Sequence, residues 1–384
     1  MKEFAIIYCA LFSLMQTASA QTWTRADVPT NSWVAVASSA DGRNLVAAAF
    51  SGGIYTSTNF GATWISNSVP SLPWNSVASS ADGTKLVAIP LFTTTLYTST
   101  NSGATWNTNA AGANDWHWVA SSADGNRLLG AGNNGRLAIS TNAGVGWTII
   151  TNAPGACWGC VASSADGSKL IAGDSGSCNT GRGPIYTSAN FGATWATNNA
   201  LQQSWTSVCS SADGTRLAAV WGGASIFTSA DSGNTWSSTN FSGQHFYHIA
   251  ASANALTLVA PSGGTLYTSS DSGVSWSSNS LPEVSAWGEV ALSADGNRLV
   301  AKANGSQIWL AQTTPQPQVH FALSSANLAL SWIIPSTNFV MRQSADLTSW
   351  TDVTNAPALN LSNLQNEVQL ILSSGNAFFR LASP

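Results

Sequence analysis

The sequence supplies few side chains that could perform acid–base chemistry. Charged residues make up 8% of its 384 residues, against about 25% in a typical soluble protein. Asp115, Asp174 and Glu283 are acids that could pair, and His117 and His248 are histidines that could serve as a base. Paired carboxylates are the catalytic groups of most glycoside hydrolases, and histidine is a common general base. A carbohydrate-active hydrolase or lyase is therefore one hypothesis.

These residues must be positioned by a repeated unit that makes up most of the chain. After an opening aromatic residue, each unit has two alternating apolar runs separated by Ser-Ser-Ala-Asp-Gly or a close variant. A Gly-rich link, a third run and a Ser/Thr-rich octet follow. The Asp-Gly pair favours a tight hairpin turn. The opening residues, which recur at roughly 40-residue intervals, are Trp33, Trp74, Trp116, Trp158, Trp205, Phe246 and Trp287.

The repeat predicts a β-propeller, because four short strands in roughly 40 to 45 residues are typical of one blade. The last unit, which starts at Trp287, stops near Gln312 before a fourth strand. The segment Gln21–Pro29 matches the fourth strand of the first unit, Ala62–Pro70. We therefore predict an all-β protein whose main domain, residues 21–312, is a seven-bladed β-propeller closed by its N-terminal strand.

Two further segments flank the predicted propeller. Residues 1–20 carry an apolar run followed by Ala18-Ser19-Ala20, which is typical of a secretory signal peptide cleaved after Ala20. We therefore predict a secreted or periplasmic protein. Residues 313–318, with the sequence TTPQPQ, are typical of a linker. Short alternating runs in residues 319–384 predict a small C-terminal β module.

Charge and composition exclude several classes of partner. The formal net charge is −4, and the scattered signs offer no basic surface for nucleic acid or for anionic lipid. We expect no nucleic-acid partner and no membrane span after the signal peptide is removed. We also expect no metal, no cofactor and a monomeric protein.

The octet that ends each unit resembles the Asp-box, or BNR repeat, of sialidase-like propellers, whose pattern is Ser-x-Asp-x-Gly-x-Thr-Trp. In the first unit the octet runs from Ser57 to Trp64, with Asn59 at the central position. An Asn side-chain oxygen can cap such a turn as an Asp oxygen does. The central residues of the other copies are Asn101, Asn142, Asn190, Asp231 and Asp271.

Taken with the Trp-x-x-Val-x-Ser-Ser-x-Asp-Gly opening, these octets make residues 21 to 312 similar to the seven-bladed propellers of the photosystem II assembly factor (Ycf48-like) family. Members of that family are protein-binding assembly factors, so the resemblance implies binding rather than catalysis. The segment Arg342–Val353 resembles the C-terminal appendages of exported bacterial proteins that are broadly fibronectin-III-like. That resemblance implies a β-sandwich for the last module.

Sialidase activity is not expected, although the octets resemble those of sialidases. Sialidase chemistry needs three converging arginines, a Tyr–Glu nucleophile pair and an acid/base Asp. Outside the repeated positions the propeller region contains Arg25, Arg136 and Arg182, and Arg25 belongs to a predicted outer strand. The Phe/Tyr-Arg-Ile-Pro motif of sialidases is also absent from the sequence.

One face of the predicted ring gathers the polar and aromatic residues that do not repeat. The links between units and those between second and third strands should lie on this face, opposite the octets. The face is therefore the predicted binding surface. Its candidate residues are Asp115, His117, Trp118, Asp174, Arg182, Trp221, His245, Tyr247, His248 and Glu283.

Two functional hypotheses follow from this distribution. We favour an exported, noncatalytic binding or scaffold protein that recognises a protein or a glycan through this face. The alternative is a glycoside hydrolase or polysaccharide lyase with its site on the same face. The repeated Trp residues are expected to pack between blades. The basic residues after the Asp-Gly turns are expected to form a solvated rim: Arg43, Lys85, Arg127, Lys169, Arg216 and Arg298.

Four cysteines remain after the predicted leader is removed, and four cysteines allow three pairings in an oxidising compartment. The repeat geometry favours a bond between Cys157 and Cys178, which would tether the long link in the fourth unit. Cys160 and Cys209 fall on neighbouring inner strands and could pair or remain buried thiols. A metal or redox site at Cys157 and Cys160 is disfavoured, because no second CxxC or histidine pair accompanies it.

Overall fold

The computed structural model describes residues 21–110, 115–132, 135–178, 181–303, 307–313, 320–323, 327–333, 340–345, 348–353, 358–360, 365–371 and 378–382. Within these ranges every regular element is a β-strand, so the predicted all-β class is confirmed. The same residues include no helix that is long and apolar enough to cross a bilayer. The predicted signal peptide and residues 314–318 of the predicted linker lie outside the described residues.

The repeat region consists of short strands joined by tight turns and links. In chain order its strands are β1 (Gln21–Arg25), β2 (Trp33–Ser38), β3 (Leu45–Gly52), β4 (Ile54–Ser57), β5 (Ile65–Ser66), β6 (Leu72–Ser79), β7 (Leu86–Pro90), β8 (Thr95–Ser99), β9 (Asn107–Ala110), β10 (Trp116–Ser121), β11 (Leu128–Gly132), β12 (Leu137–Ser140), β13 (Thr148–Ile150), β14 (Trp158–Ser163), β15 (Leu170–Asp174), β16 (Gly183–Ser188), β17 (Ala196–Gln203), β18 (Ser207–Ser210), β19 (Leu217–Val220), β20 (Ser225–Ser229), β21 (Ser237–Asn240), β22 (Ala250–Ala251), β23 (Leu258–Ser262), β24 (Thr265–Ser269), β25 (Ser277–Ser280), β26 (Trp287–Leu292), β27 (Arg298–Ala303) and β28 (Gln307–Thr313).

The strands of one repeat lie side by side in chain order, as in the sheets β10–β13, β14–β17, β18–β21 and β22–β25. The sheets of the first two repeats, β2–β5 and β6–β9, join into one eight-stranded sheet. They join because the end of β3 also pairs with the start of β6, where Phe50 lies opposite Pro73. In the last repeat, β26, β27 and β28 take β1 as their fourth strand, with Gln21 opposite Thr313.

Backbone hydrogen bonds connect the Ser-Ser-Ala-Asp-Gly turns of successive repeats. In each turn the alanine N–H donates to the alanine carbonyl oxygen of the next turn, at 2.6 to 2.7 Å. The last bond returns to the first repeat, so the described repeats form a closed ring. The donor and acceptor pairs are Ala40 to Ala81, Ala81 to Ala123, Ala123 to Ala165, Ala165 to Ala212, Ala212 to Ala253, Ala253 to Ala294, and Ala294 to Ala40.

Apolar side chains of adjacent sheets pack together into separate cores around the ring. In one core, Trp116 and Val119 of the third repeat pack with Val87 and Leu96 of the second. Burying one large aromatic side chain of ~150 to 250 Å² contributes about 4 to 6 kcal/mol at most. The aromatic residues that open the repeats therefore hold neighbouring sheets together. Those that are almost fully buried are Trp74, Trp116, Trp158, Trp205 and Phe246.

The basic residues after the Asp-Gly turns also connect neighbouring repeats. Lys85 Nζ donates to the Asp124 carbonyl oxygen at 2.8 Å, and Arg127 Nη1 donates to the Asp166 carbonyl oxygen at 2.7 Å. Arg43 and Arg127 remain exposed, and Arg43 Nε donates within its own repeat, to the Thr58 carbonyl oxygen at 3.0 Å. An added Cβ at Gly125 would lie 2.7 Å from Lys85 Cβ, so the glycine also makes room for the basic side chain.

The octet that ends each repeat forms a turn held by its own side chains. In the first repeat, Ser57 Oγ accepts the Gly61 N–H at 2.9 Å and donates to Asn59 Oδ1 at 2.9 Å. The Thr63 N–H donates to the same Asn59 oxygen at 2.9 Å. The central Asn therefore accepts two hydrogen bonds that would otherwise be lost.

We predict that Asn59→Ala lowers the free energy of unfolding by about 1 to 3 kcal/mol, since it leaves two donors without their acceptor. Asn59→Asp should change it by less than about 1 kcal/mol, because in the fifth repeat Thr235 Oγ1 donates to Asp231 Oδ2 at 2.6 Å. Urea unfolding of both variants measures the difference. Equal losses in the two variants would contradict the role given to the side-chain oxygen.

Hydrogen bonds lower the pKa of several carboxyl groups in these turns. The hydroxyl and N–H of Ser275 lower the pKa of Asp271 from 3.8 to about 2. Burial raises the pKa of Asp124, but hydrogen bonds from Ser122 and Asn126 outweigh it and the pKa is lowered. A carboxyl group whose pKa is lowered by folding stabilises the protein above its unfolded pKa. That stabilisation is lost as the pH falls through the folded pKa.

We predict that the free energy of unfolding falls between about pH 4 and pH 2, and that Asp271→Asn makes the fall shallower. Asp295 provides the contrast, since burial raises its pKa above 3.8. Its contribution to the free energy of unfolding therefore rises as the pH falls toward about 4, and Asp295→Asn should remove that rise while leaving the fall at lower pH unchanged. Urea unfolding at several pH values measures the three slopes. If the free energy of unfolding depends on pH identically in wild type and both variants, the pKa shifts assigned to Asp271 and Asp295 are wrong.

The C-terminal strands β29 (His320–Leu323), β30 (Asn327–Ile333), β31 (Val340–Ser344), β32 (Thr351–Asp352), β33 (Ala358–Asn360), β34 (Gln365–Ile371) and β35 (Phe378–Ala382) form two sheets. One sheet has the order β29-β30-β34-β33, and the other has the order β32-β31-β35. Leu330 and Val368 of the first sheet share a core with Met341 of the second. Both sheets therefore contribute to one small hydrophobic core.

Candidate functional site

Antiparallel strands place alternate connections at opposite ends of a sheet. The links between repeats and the turns between second and third strands therefore share one face, and the octets lie on the other. We call the first surface the link face. Its described residues are 26–32, 50–53, 67–73, 91–94, 115–118, 135–136, 151–157, 175–178, 181–182, 204–206, 221–224, 241–249, 263–264 and 281–289.

Asp115 and His117 form one polar group on the link face. His117 Nε2 lies 3.2 Å from Asp115 Oδ2, and the side chains are 21% and 38% exposed respectively. The other carboxylate oxygen, Asp115 Oδ1, accepts the backbone N–H of Phe92 at 3.3 Å. Asn75 Nδ2 donates to the His117 carbonyl oxygen at 2.6 Å. The predicted neighbours Asp115 and His117 are thus in contact, and both are held by the preceding repeat.

A second group contains His245 and Tyr247, which both contact Gly222. The predicted residue Trp221 precedes this glycine but is partly buried and packs against the core that contains Trp205. The Gly222 N–H donates to the Phe246 carbonyl oxygen at 2.6 Å, and His245 Nδ1 lies 3.0 Å from the Gly222 carbonyl oxygen. An added Cβ at Gly222 would lie 2.8 Å from the Tyr247 ring, so the ring rests directly on this glycine. Tyr247 is nevertheless 64% exposed. The group therefore presents an aromatic side chain on a firmly held turn.

A third group joins His248 to two residues that sequence reasoning did not select. His248 Nε2 lies 3.6 Å from Glu289 Oε1, and His248 Nδ1 accepts the Val290 N–H at 3.4 Å. Lys302 Nζ donates to the Trp33 carbonyl oxygen at 3.3 Å. Burial lowers the pKa of Lys302, and the nearby Glu289 carboxylate opposes that shift. These side chains connect the sixth, seventh and first repeats around the ring.

Asp174 serves the long link of the fourth repeat rather than an open surface. Its side chain is only 4% exposed, and Asp174 Oδ1 accepts the Gly176 N–H at 2.8 Å. An added Cβ at Gly183 would lie 2.2 Å from the Asp174 carboxyl carbon, so the loop closes over the carboxylate. Arg182 lies beside it on the exposed side of the loop. A ligand at the surface could reach Arg182 but not Asp174.

A disulfide anchors the same link. Cys157 and Cys178 are bonded, with their Cα atoms 5.6 Å apart. Ser175 N–H and Ser175 Oγ both donate to the Cys157 carbonyl oxygen, at 2.7 and 2.8 Å. The Ser204 hydroxyl donates to the Gly181 carbonyl oxygen. The loop is therefore fixed at both of its ends.

The remaining cysteines are separate thiols. Cys160 and Cys209 are not joined by a disulfide, and Cys160 is buried. Burial raises the pKa of the Cys160 thiol and raises that of Cys209 to about 12. Such thiols carry almost no thiolate near neutral pH, so they are unsuited to nucleophilic or redox chemistry.

The last two candidate residues differ in their surroundings. Trp118 is partly buried and packs against the core that contains Trp158 and Leu170, so most of its ring stabilises the junction of the third and fourth repeats. Glu283 is exposed in the link before β26.

Four residues on or beside the link face were missed by sequence reasoning. Phe92 is 77% exposed and Phe50 is 43% exposed, although bulky apolar side chains are usually buried. Phe50 lies near the end of β3, and Phe92 lies in the turn that follows β7. Glu289 follows an opening Trp by two positions, and Lys302 interrupts the run LVAKA of an otherwise apolar strand. A charged residue within this apolar run was the sequence feature that could have identified Lys302.

Exposed aromatic rings are the prominent groups of the link face. Within the described residues, no three His, Cys, Asp or Glu side chains are arranged to hold a metal ion. Asp174 is buried in its loop, and Asp115 accepts bonds from a neighbouring N–H and a histidine. Asp174 and Asp115 therefore stabilise their loops, whereas Glu283 is exposed. Tyr247 and Phe92 are the prominent exposed aromatic residues.

The sequence matches no protein-family model and no curated protein. Solved structures do resemble it. YCF48 bound to D1 peptide has 15% sequence identity and a TM-score of 0.60, over 77% of this chain and 96% of that one. YCF48 from Cyanidioschyzon merolae has 15% identity and a TM-score of 0.58, over 76% and 98% of the two chains.

A third similar structure is the β-propeller domain of Cps50 (Swd1) from Myceliophteria thermophila. It has 11% identity and a TM-score of 0.63, over 76% of this chain and 100% of that chain. Similarity at these identities establishes the fold alone. The chain therefore has the fold of a β-propeller.

We predict that Cys157→Ser together with Cys178→Ser lowers the free energy of unfolding by about 2 to 4 kcal/mol, because the bond closes a loop of moderate length. The variant should also be cleaved faster between residues 175 and 182 by a nonspecific protease. Urea unfolding and mass spectrometry of the cleavage products measure the two effects. Reduction of the wild-type protein with dithiothreitol is the control, because it breaks the same bond and leaves the free thiols Cys160 and Cys209 unchanged. No loss of stability on reduction would contradict the tethering role.

Proposed function

We propose that this protein is an exported, noncatalytic scaffold that binds a protein partner through its link face. Its binding domain is a seven-bladed β-propeller over residues 21–312, closed by β1, with a separate β-sandwich-like module at residues 319–384. The octets are structural Asp-box turns on the opposite face. A glycan is the other class of ligand that the same aromatic and polar side chains could bind.

The observation that carries the proposal is the exposed aromatic group on a rigid support. Tyr247 is 64% exposed, while its neighbours His245 and Phe246 are both bonded to the turn at Gly222. A rigid amphipathic ring loses little conformational entropy when a partner covers it, which is why such residues are enriched in protein interfaces. Binding of a protein by this fold is precedented by YCF48, which has been solved bound to D1 peptide.

Several observations support the finer parts of the proposal. The alanine hydrogen bonds that return from Ala294 to Ala40 support a closed ring of seven blades. The five residue pairs between β1 and β28 support closure by the N-terminal strand. The Cys157–Cys178 bond supports an oxidising compartment and hence export, because structural disulfides are rare in reducing compartments. The shared core of the two C-terminal sheets supports a sandwich module.

The test is affinity capture from the exported proteins of the source organism, with residues 21–384 immobilised as bait. We expect the wild-type protein to enrich a partner that a His245→Ala, Tyr247→Ser double variant captures at least 10-fold less, which corresponds to about 1.4 kcal/mol. Val274→Ser is the matched control, because Val274 is 83% exposed in an octet on the opposite face. Quantitative mass spectrometry and surface plasmon resonance with the recovered partner provide the measurement.

Two results would refute the proposal. Equal capture by wild type and the double variant, or loss of capture only in Val274→Ser, would place binding elsewhere. Release of reducing ends or unsaturated products from a panel of polysaccharides would replace the noncatalytic role with the enzymatic alternative.

A further inference from the structure

The first two repeats carry an apolar patch on the link face that lies apart from the group formed by His245 and Tyr247. Phe50 and Phe92 are 43% and 77% exposed. They come from different repeats, yet both adjoin the same short segment. Phe50 is paired with Pro73 across the β3–β6 ladder, and the Leu91 N–H donates to the Pro73 carbonyl oxygen at 2.8 Å. We call Phe50, Pro73, Leu91 and Phe92 the Phe92 patch.

The backbone that presents these rings is fixed and locally strained. Ser51 and Phe92 have φ angles of 53° and 60°, in the left-handed region that non-glycine residues rarely adopt. Ser71 Oγ donates to the Ser51 carbonyl oxygen at 2.8 Å, and Trp74 Nε1 donates to the Gly52 carbonyl oxygen at 3.0 Å. The structure thus holds two large apolar side chains at the surface instead of folding them inward.

A carboxylate borders the patch. Asp115 Oδ1 accepts the Phe92 N–H, and the Asp115 side chain remains 38% exposed. An ionised carboxylate has about four acceptor positions, so Asp115 can still receive a donor from a partner. His117 Nε2 lies 3.2 Å from Asp115 Oδ2, and among the ion pairs of the described residues no Lys or Arg pairs with Asp115. The Asp115 carboxylate beside Phe92 therefore has no Lys or Arg counter-charge among the described residues.

From this juxtaposition we propose that the Phe92 patch binds an extended segment of a protein in which a large apolar residue adjoins Arg or Lys. The apolar side chain covers Phe92 and Phe50, and the basic group pairs with Asp115. This inference rests on the proposed protein-binding function and names the chemistry of the partner. A phenyl ring without a polar edge favours an apolar side chain, whereas amphipathic Tyr or Trp rings suit polar ligands better.

The test uses a phage library of random linear decapeptides selected on residues 21–384. We expect enriched peptides to carry Phe, Leu, Ile or Trp next to Arg or Lys. A peptide synthesised from the enriched set should bind Phe92→Ser at least 10-fold more weakly in fluorescence polarisation. Asp115→Asn keeps an oxygen that can accept the Phe92 N–H, so this variant should still bind the apolar residue of the peptide. Its affinities for peptides with Arg or Lys and for peptides with Asp or Glu beside that residue should differ by no more than about twofold. Higher salt should reduce the preference of the wild-type protein for peptides with Arg or Lys.

Val274→Ser is the control for the loss of an exposed apolar residue, and thermal unfolding establishes that each variant is folded. The inference fails if no peptide is enriched, if enriched peptides lack the apolar–basic pair, or if folded Phe92→Ser binds like wild type. It also fails if a glycan array shows sugar binding that depends on Phe92. If the exported partner is lost by the Tyr247 variant but retained by Phe92→Ser, the proposed function stands and this patch is not its site.

Discussion

The backbone hydrogen bond between neighbouring Ser-Ser-Ala-Asp-Gly turns is the constraint on which the rest of the molecule depends. Each turn gives its alanine N–H to the next repeat and receives one from the repeat before, and the series ends where it began, from Ala294 to Ala40. A buried N–H without an acceptor costs free energy. If one repeat separated from the ring, one of its neighbours would have an unpaired donor and the other an unpaired acceptor. The basic side chains and the buried aromatic residues reinforce the same junctions.

Much of the fold could be predicted from sequence because the same motifs recur in each repeat. Recurring opening aromatic residues, Asp-Gly turns and octets define the strand order, and the match of Gln21–Pro29 to an outer strand anticipates the pairing of β1 with β28. The joining of β3 to β6 could not be predicted in the same way. The joining depends on a few residues at the end of β3 and on the φ angle at Ser51. These features are not part of the repeated sequence pattern.

The candidate site was less predictable, because its contacts are between repeats rather than within one. The Asp115–His117 contact follows from their closeness in sequence, but Lys302 reaches Trp33 across the closure of the ring. Asp174 resembled an available acid, and only the three-dimensional path of its loop reveals that Gly176 and Gly183 enclose it. Exposed apolar residues such as Phe92 are invisible to a method that expects such side chains in a core.

The position of the first and last strands of the ring has a mechanical consequence. Gln21 lies directly opposite Thr313, at the same end of the β1–β28 ladder. Tension between those two positions would therefore act on one hydrogen-bonded pair at a time and open the ladder as a zipper opens, rather than load all its pairs together in shear. A ring that resists separation of its repeats is thus most easily opened by pulling apart the two strand ends that complete it.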